Sequence, residues 1–211
     1  MNCPLCTTDV KKIVEAGSRR LHECRHCRLV FAEPAARLTP HELRKRYLLH
    51  ENTIENKGYC DFLDQVIRLA KPHLTPGSQG LDFGCGPGPT LSKLIRADGF
   101  VMTDYDPIFF DRPLIPPYDF IFSTECFEHF EEPKKDITHV TSLLREGGVL
   151  ALMTELWDNS KDFKKWPYAA DLTHVSFYSR ETMTYISQTF DLAPLTDDGK
   201  RVFIFRKKKL V

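Results

Sequence analysis

Leu81-Asp82-Phe83-Gly84-Cys85-Gly86-Pro87-Gly88 sets three glycines at alternate positions where an apolar strand ends and a helix opens near Pro89. Glycine has no Cβ, so the backbone there can turn tightly and come close to a ligand. The helix that follows points its free N–H groups and positive dipole end into the same space. The segment therefore predicts a strand, loop and helix that cradle a cofactor. Gly99 to Asp106 reads as the next strand, ending in an acid at about the offset where nucleotide-binding folds place a carboxylate for ribose hydroxyls. Counting from Gly99 favours Asp106 for that role, with Asp104 as the alternative.

A second constraint sits at the N-terminus. Cys3-Pro4-Leu5-Cys6 and Cys24-Arg25-His26-Cys27 are two C-x-x-C knuckles 17 residues apart, the spacing of a four-cysteine zinc ribbon. Four thiolates close a tetrahedron with no open position, so Cys3, Cys6, Cys24 and Cys27 are expected to hold a structural zinc ion, not a catalytic one. His22 and His26 are spare ligands should one cysteine be absent from the set. So short a module cannot bury a core of its own, and the metal would supply much of its folding energy. The seven cysteines of the chain, an odd number, read as metal ligands and free thiols in a reducing compartment. Cys85 and Cys126 fit small buried fillers.

At 211 residues the chain can bury one core of roughly 150 residues, with about 50 left for an appendage. Twenty-nine basic and 29 acidic side chains balance, so no global charge draws it to nucleic acid or membrane. No apolar run approaches the roughly 18 residues of a spanning helix, and MNCPLCTTDVKK has no signal-peptide core. A cytoplasmic protein without membrane partners is the expectation. Residues 1–47 carry ten Lys/Arg against five Asp/Glu, which permits contact with a phosphate-bearing substrate without requiring it.

The glycine spacing departs from G-x-G-x-x-G and resembles the D/E-x-G-x-G-x-G motif of class I S-adenosylmethionine-dependent methyltransferases. The resemblance continues through Tyr118-Asp119-Phe120-Ile121-Phe122-Ser123, Glu128-His129 and Leu144-Arg145-Glu146-Gly147-Gly148-Val149-Leu150, and covers residues 58–211. It implies a Rossmann-like α/β three-layer sandwich with a seven-stranded mixed sheet, shortened around strand three because 107–117 is short and proline-rich. The domain expectation is a zinc ribbon at 1–40, a linker helix at 41–57 and a methyltransferase domain at 58–211. S-adenosylmethionine is the implied cofactor, with S-adenosylhomocysteine as product. Its implied contacts are Asp82, Gly84, Cys85, Gly86, Gly88, Asp104 or Asp106, Tyr105, Ser123, Thr124 and, as a lid candidate, Tyr59. The adenine pocket would come from Tyr105, Asp106 and the Pro107-Ile108-Phe109 loop.

For chemistry, Glu125, Glu128 and His129 stand at i, i+3 and i+4 just past strand four, so on a helix they would share one face. His174, within Thr173-His174-Val175-Ser176-Phe177-Tyr178, could fold back over them. Two carboxylates and two imidazoles suit a divalent metal of mixed hardness. The set is similar to the metal site of small-RNA 3′-terminal 2′-O-methyltransferases and to the pattern in ubiquinone-pathway O-methyltransferases. The metal-free reading makes His129 or His174 an acid/base or acceptor contact, while early helical glutamates simply favour the dipole. Trp157, Phe163, Trp166 and Tyr168, in the 155–179 insertion, would cover an apolar or sugar-like acceptor. The expected function is methyl transfer to a hydroxyl of a small molecule. The alternatives are an RNA methyltransferase that uses the ribbon as its grip, and a cofactor- or partner-binding module without catalysis. Oligomeric state has no signature in the sequence.

Overall fold

The computed structural model describes residues 1–17, 19–33, 38–49 and 52–209. Its centre is a six-stranded sheet in the order β5-β4-β6-β7-β10-β9. The strands are β4 (Gln79–Phe83), β5 (Val101–Tyr105), β6 (Tyr118–Thr124), β7 (Leu144–Met153), β9 (Leu192–Asp197) and β10 (Val202–Lys207). The first four pair in parallel and the last two close the edge as an antiparallel hairpin. Both faces of such a sheet are covered, which is why its inner strands are apolar almost throughout.

Alternation along the strands assigns the layers. Phe120, Phe122, Val149, Ala151 and Met153 face helices α2 (Lys57–Ala70) and α3 (Thr90–Ala97), meeting Leu63, Val66, Ile67, Leu91 and Ile95. Ile121, Leu150, Leu152, Phe203 and Phe205 face α4 (Pro133–Leu143) and α6 (Arg180–Thr189). The result is the three-layer Rossmann-like sandwich that the sequence implies. Where seven strands with a shortened third were expected, the described residues form six in this sheet, and the chain crosses 107–117 with a single bridge from Phe110 back to Asp106 and no strand. Pro113, Pro116 and Pro117 have no N–H to give a ladder, which accounts for the gap.

The N-terminal segment builds a second sheet, β1 (Lys12–Ala16), β2 (Arg19–Glu23), β3 (Val30–Ala32) and β8 (Ser176–Phe177). Its last strand belongs to the far end of the chain: Val30 pairs with Phe177 and Phe31 with Ser176. Leu5, Val10, Leu29 and Phe31 join the core of the large sheet. Leu21, Val30 and Ala32 pack with Trp157, Phe163, Trp166 and Phe177. Trp157 and Phe163, two of the four aromatics expected over an acceptor, are thus committed to seating the N-terminal sheet, while Trp166 packs there and also borders a surface recess with Tyr168. Helix α1 (Pro40–Tyr47) follows, opened by a Thr39/Glu42 capping box, and buries no residue completely.

Candidate functional site

The parallel strands reverse their order of connection at β4, which has β5 on one side and β6 on the other. Crevices at such switch points bind ligands beyond the carboxyl ends of the strands. The loop after β4 lies there. Gly84 and Gly86 take φ of +82° and +64°, a region that side chains disfavour. The amides of Gly84 and Cys85 donate to the Tyr105 carbonyl at 2.8 and 3.1 Å, tying the loop to β5. A Cβ on Gly84 would stand 2.3 Å from Cys126 Sγ, and one on Gly88 2.6 Å from the Asn52 carbonyl, whereas one on Gly86 would meet nothing within 4 Å. Gly86 therefore fronts open space.

The two aspartates at the end of β5 separate clearly. Asp106 accepts from the Gly86 amide at 3.1 Å through Oδ2, and from Ile108 and Phe109 amides at 2.8 and 3.1 Å through Oδ1. Asp104 is buried on the other side, paired with Arg96 at 2.8 Å. Asp82, also fully buried, accepts from Ser92 at 3.4 Å, and its Oδ1 has no partner. Burial first, then the charge of Asp104, pushes the Asp82 carboxyl up to about 7. Tyr59 stands in the first turn of α2 under the Asn56 cap, and burial, then the charges of Asp82 and Glu125, raises its phenol. Ser123 is inside the sheet, donating to the Phe83 carbonyl at 3.2 Å, and Thr124 ends β6 opposite Met153.

Beyond β6 the helix expected to carry Glu125, Glu128 and His129 does not form. Glu125 has φ +47° while its amide continues the ladder to the Met153 carbonyl, and residues 127–129 make a single tight turn. The helix proper opens at Pro133, a residue suited to a first helical position and restrictive of the one before it. The turn still gathers three of the four expected groups. One ligand atom each of Glu128, His129 and His174 lie within 4.8 Å of one another, and the two imidazoles meet at a centroid distance of 4.9 Å. Glu125 lies outside that set, half-buried near Glu128, and desolvation, then the charge of Glu128, lifts its carboxyl well above the usual range.

Each histidine of the cluster is tied by Nδ1 to a backbone carbonyl, His129 to Thr173 at 2.9 Å and His174 to Tyr168 at 2.8 Å. A carbonyl only accepts, so Nδ1 carries the proton and Nε2 keeps a free lone pair. Burial lowers the pKa of His174, against the opposing charge of Glu128. Glu128 is fully buried, accepts from Thr154 at 2.8 Å through Oε2, and leaves Oε1 without a partner. Beside the cluster opens a recess of about 540 Å³ bordered by Glu155, Lys161, Trp166, Pro167, Tyr168, Asp171 and His174.

Tyr47 and Thr154 were not singled out from the sequence. The Tyr47 ring stands edge-on to His129 at 5.4 Å and to Phe109 at 6.4 Å. The pattern of α1 gives little signal for this, because that helix has no buried stripe.

The four N-terminal cysteines converge as the knuckles imply. Their sulfurs lie within 4.8 Å of one another, with Cys3–Cys27 at 3.6 Å and Cys6–Cys24 at 3.4 Å. Tetrahedral zinc with bonds of about 2.3 Å sets its sulfurs roughly 3.8 Å apart, so this cage fits the ion. His22 turns to Glu33 at 2.6 Å and His26 to the Tyr185 ring, leaving the site to the four sulfurs.

Comparison with known proteins agrees with this geometry. Residues 50–196 match the family described as methyltransferase domain. Burkholderia thailandensis 1,6-didemethyltoxoflavin-N1-methyltransferase, solved with 1,6-didemethyltoxoflavin and S-adenosylhomocysteine, superposes over 96% of this chain and 100% of its own, with a TM-score of 0.59 at 14% identity. The Haloferax volcanii partner of the Trm112 methyltransferase activator superposes over 74% and 94%, with a TM-score of 0.51 at 13% identity. No curated protein matches the sequence. Among the described residues, no helix is long and apolar enough to cross a membrane.

Proposed function

Because the chain belongs to the methyltransferase-domain family, we propose that it transfers a methyl group from S-adenosylmethionine to a hydroxyl of a small molecule seated against His129 and His174. The convergence of Glu128, His129 and His174, with His174 bordering the recess and Cys126 of the same segment packed against Gly84, carries the reading. Gly84, Cys85, Gly86 and Gly88 would hold the cofactor, Asp106 its ribose and Tyr59 its outer side. The open space before Gly86 fits such a group. When bound, the cofactor supplies an electrophilic methyl on its sulfonium.

The chain's own part is alignment and proton removal. With Nδ1 fixed on a carbonyl, each imidazole presents Nε2 to an acceptor hydroxyl, and burial favours the neutral form of His174 that takes the proton. Glu128 and the two histidines also fit a divalent cation, since Oε1 of Glu128 has no other partner and both Nε2 atoms are free. Such an ion, when bound, would hold and acidify the hydroxyl. In the ribbon, Cys3, Cys6, Cys24 and Cys27 would hold zinc as a structural ion.

A small acceptor is supported by the recess, whose volume falls within the roughly 300–1,000 Å³ of small-molecule sites, and by the balanced charge of the chain. The test is transfer of labelled methyl from S-adenosylmethionine to a panel of small hydroxylated compounds. His174→Ala should lower turnover by about 10²-fold while S-adenosylhomocysteine affinity stays within about threefold. A chelator should match that loss, and manganese or cobalt should restore it, if the cation takes part. Transfer to bulk RNA alone, with steeply salt-dependent binding, would overturn the small-molecule reading.

A further inference from the structure

Arg19 opens β2 in the N-terminal sheet, yet only 7% of its surface is exposed, and its guanidinium reaches into the loop that carries His174. Nη1 donates to the carbonyls of Ala169 at 2.8 Å and Asp171 at 2.7 Å, and Nη2 to that of His174 at 2.7 Å. Three carbonyls of one short segment are thus gathered on one planar fork. Lysine, a point charge on a flexible stem, could not reproduce that geometry.

The same segment orients both imidazoles. Thr173 offers its carbonyl to His129 Nδ1, and Tyr168 offers its own to His174 Nδ1. The segment is pinned a second time from the N-terminal sheet, because the Ala32 amide donates to the Val175 carbonyl at 2.9 Å, while the Val175 amide donates to the Glu128 carbonyl at 2.8 Å. The carbonyls of Ala169, Asp171 and His174 thus go to Arg19, and those of Tyr168 and Thr173, interleaved with them, go to the imidazoles. A shift in one set moves the other.

We propose that the N-terminal module is a clamp on the acceptor site, with Arg19 as a positioning residue that fixes where His129 and His174 present Nε2. The inference rests on the reading of these histidines as the acceptor site, and it gives the ribbon a task within the same chain. Arg19 touches neither acceptor nor cofactor. Its effect passes through the backbone of 169–174, so it should govern the histidine cluster and spare the glycine loop.

The test uses full-length, zinc-loaded protein carrying Arg19→Met or Arg19→Lys. Cobalt(II) alone is titrated against the Glu128/His129/His174 cluster by visible absorption, S-adenosylhomocysteine affinity is measured by calorimetry, and amide exchange is followed at His174 and Val175. Arg19→Met should weaken cobalt binding by about 10- to 100-fold, the cost usual for losing a group that orients metal ligands. It should also speed exchange at His174 and Val175, with S-adenosylhomocysteine affinity within about threefold and β6 amides as protected as in the wild type. Arg19→Lys should recover part of the loss and decides the matter on the same readouts if the methionine variant does not fold. Wild-type exchange at His174 and Val175 in the variants would overturn the clamp, as would equal acceleration in β6 with matching loss of S-adenosylhomocysteine affinity. A wild-type protein that takes no cobalt at the cluster would remove the metal reading alone, and the exchange measurement would still decide the clamp.

Discussion

Asp82 is buried inside the fold beside Asp104, on β4 just before the glycine loop. Burial and then the Asp104 charge lift its carboxyl from an ordinary 3.8 to about 7, outweighing the pull of Ser92 and Arg96. The unfolded chain ionises this group near the ordinary value, so above it the folded state binds the additional proton. Its contribution to stability is therefore greatest below that value and is lost as pH rises through about 7. At about 1.4 kcal/mol per pH unit, the loss between about pH 5 and about pH 8 amounts to about 3 kcal/mol. Asp82→Asn has no proton to lose and keeps an oxygen to accept from Ser92. Its stability relative to wild type should thus rise by about 3 kcal/mol over that interval, or roughly 6–12 °C in midpoint for a chain of this size. Urea titrations of both proteins at the two pH values measure the change directly. A difference between variant and wild type that is the same at both would refute the reasoning, because Asp82 would then titrate alike in folded and unfolded chains.

Gly86→Ala should cost only about 1–2 kcal/mol of stability, the strain of a left-handed alanine, yet weaken S-adenosylhomocysteine binding more than about tenfold, since the methyl enters the open face of the cradle. Gly84→Ala adds a contact with buried Cys126 to similar strain, so its thermal midpoint should fall further. Calorimetry and thermal melts on the pair check both statements, and unchanged affinity in Gly86→Ala would count against the site. Native mass spectrometry should find one tightly held zinc per chain, lost in Cys24→Ser together with protection of the β3–β8 pairing in amide exchange. A zinc-free protein that retains that protection would show that the ribbon stands without its ion.

The central sandwich was legible because its signals are local. Apolar runs at Leu81, Phe120–Phe122 and Val149–Leu152 announce buried strands, and the alternate glycines announce the turn. The knuckles were legible for the same reason, each being a short segment of fixed chemistry. The association of the N-terminal sheet with β8 was not, because it joins Val30 to Phe177 across most of the chain and no local pattern encodes the pairing. That association also drew Trp157 and Phe163 from the expected acceptor cover into a shared core, while Trp166 packs there and still borders the recess. At Glu125–His129 the i, i+3, i+4 spacing suggested a helix, whereas Pro133 delays the helix and a tight turn brings Glu128 and His129 to His174, leaving Glu125 aside. Asp104 and Asp106 look alike in the sequence, and only in three dimensions does one meet Arg96 and the other Gly86.

A crystal structure of the protein with S-adenosylhomocysteine tests the proposed site most directly. The prediction is that the ligand lies along Gly84–Gly88 with its ribose on Asp106 and its sulfur turned toward Glu128, His129 and His174. A ligand bound away from the glycine loop, or one whose sulfur faces away from that cluster, would contradict it.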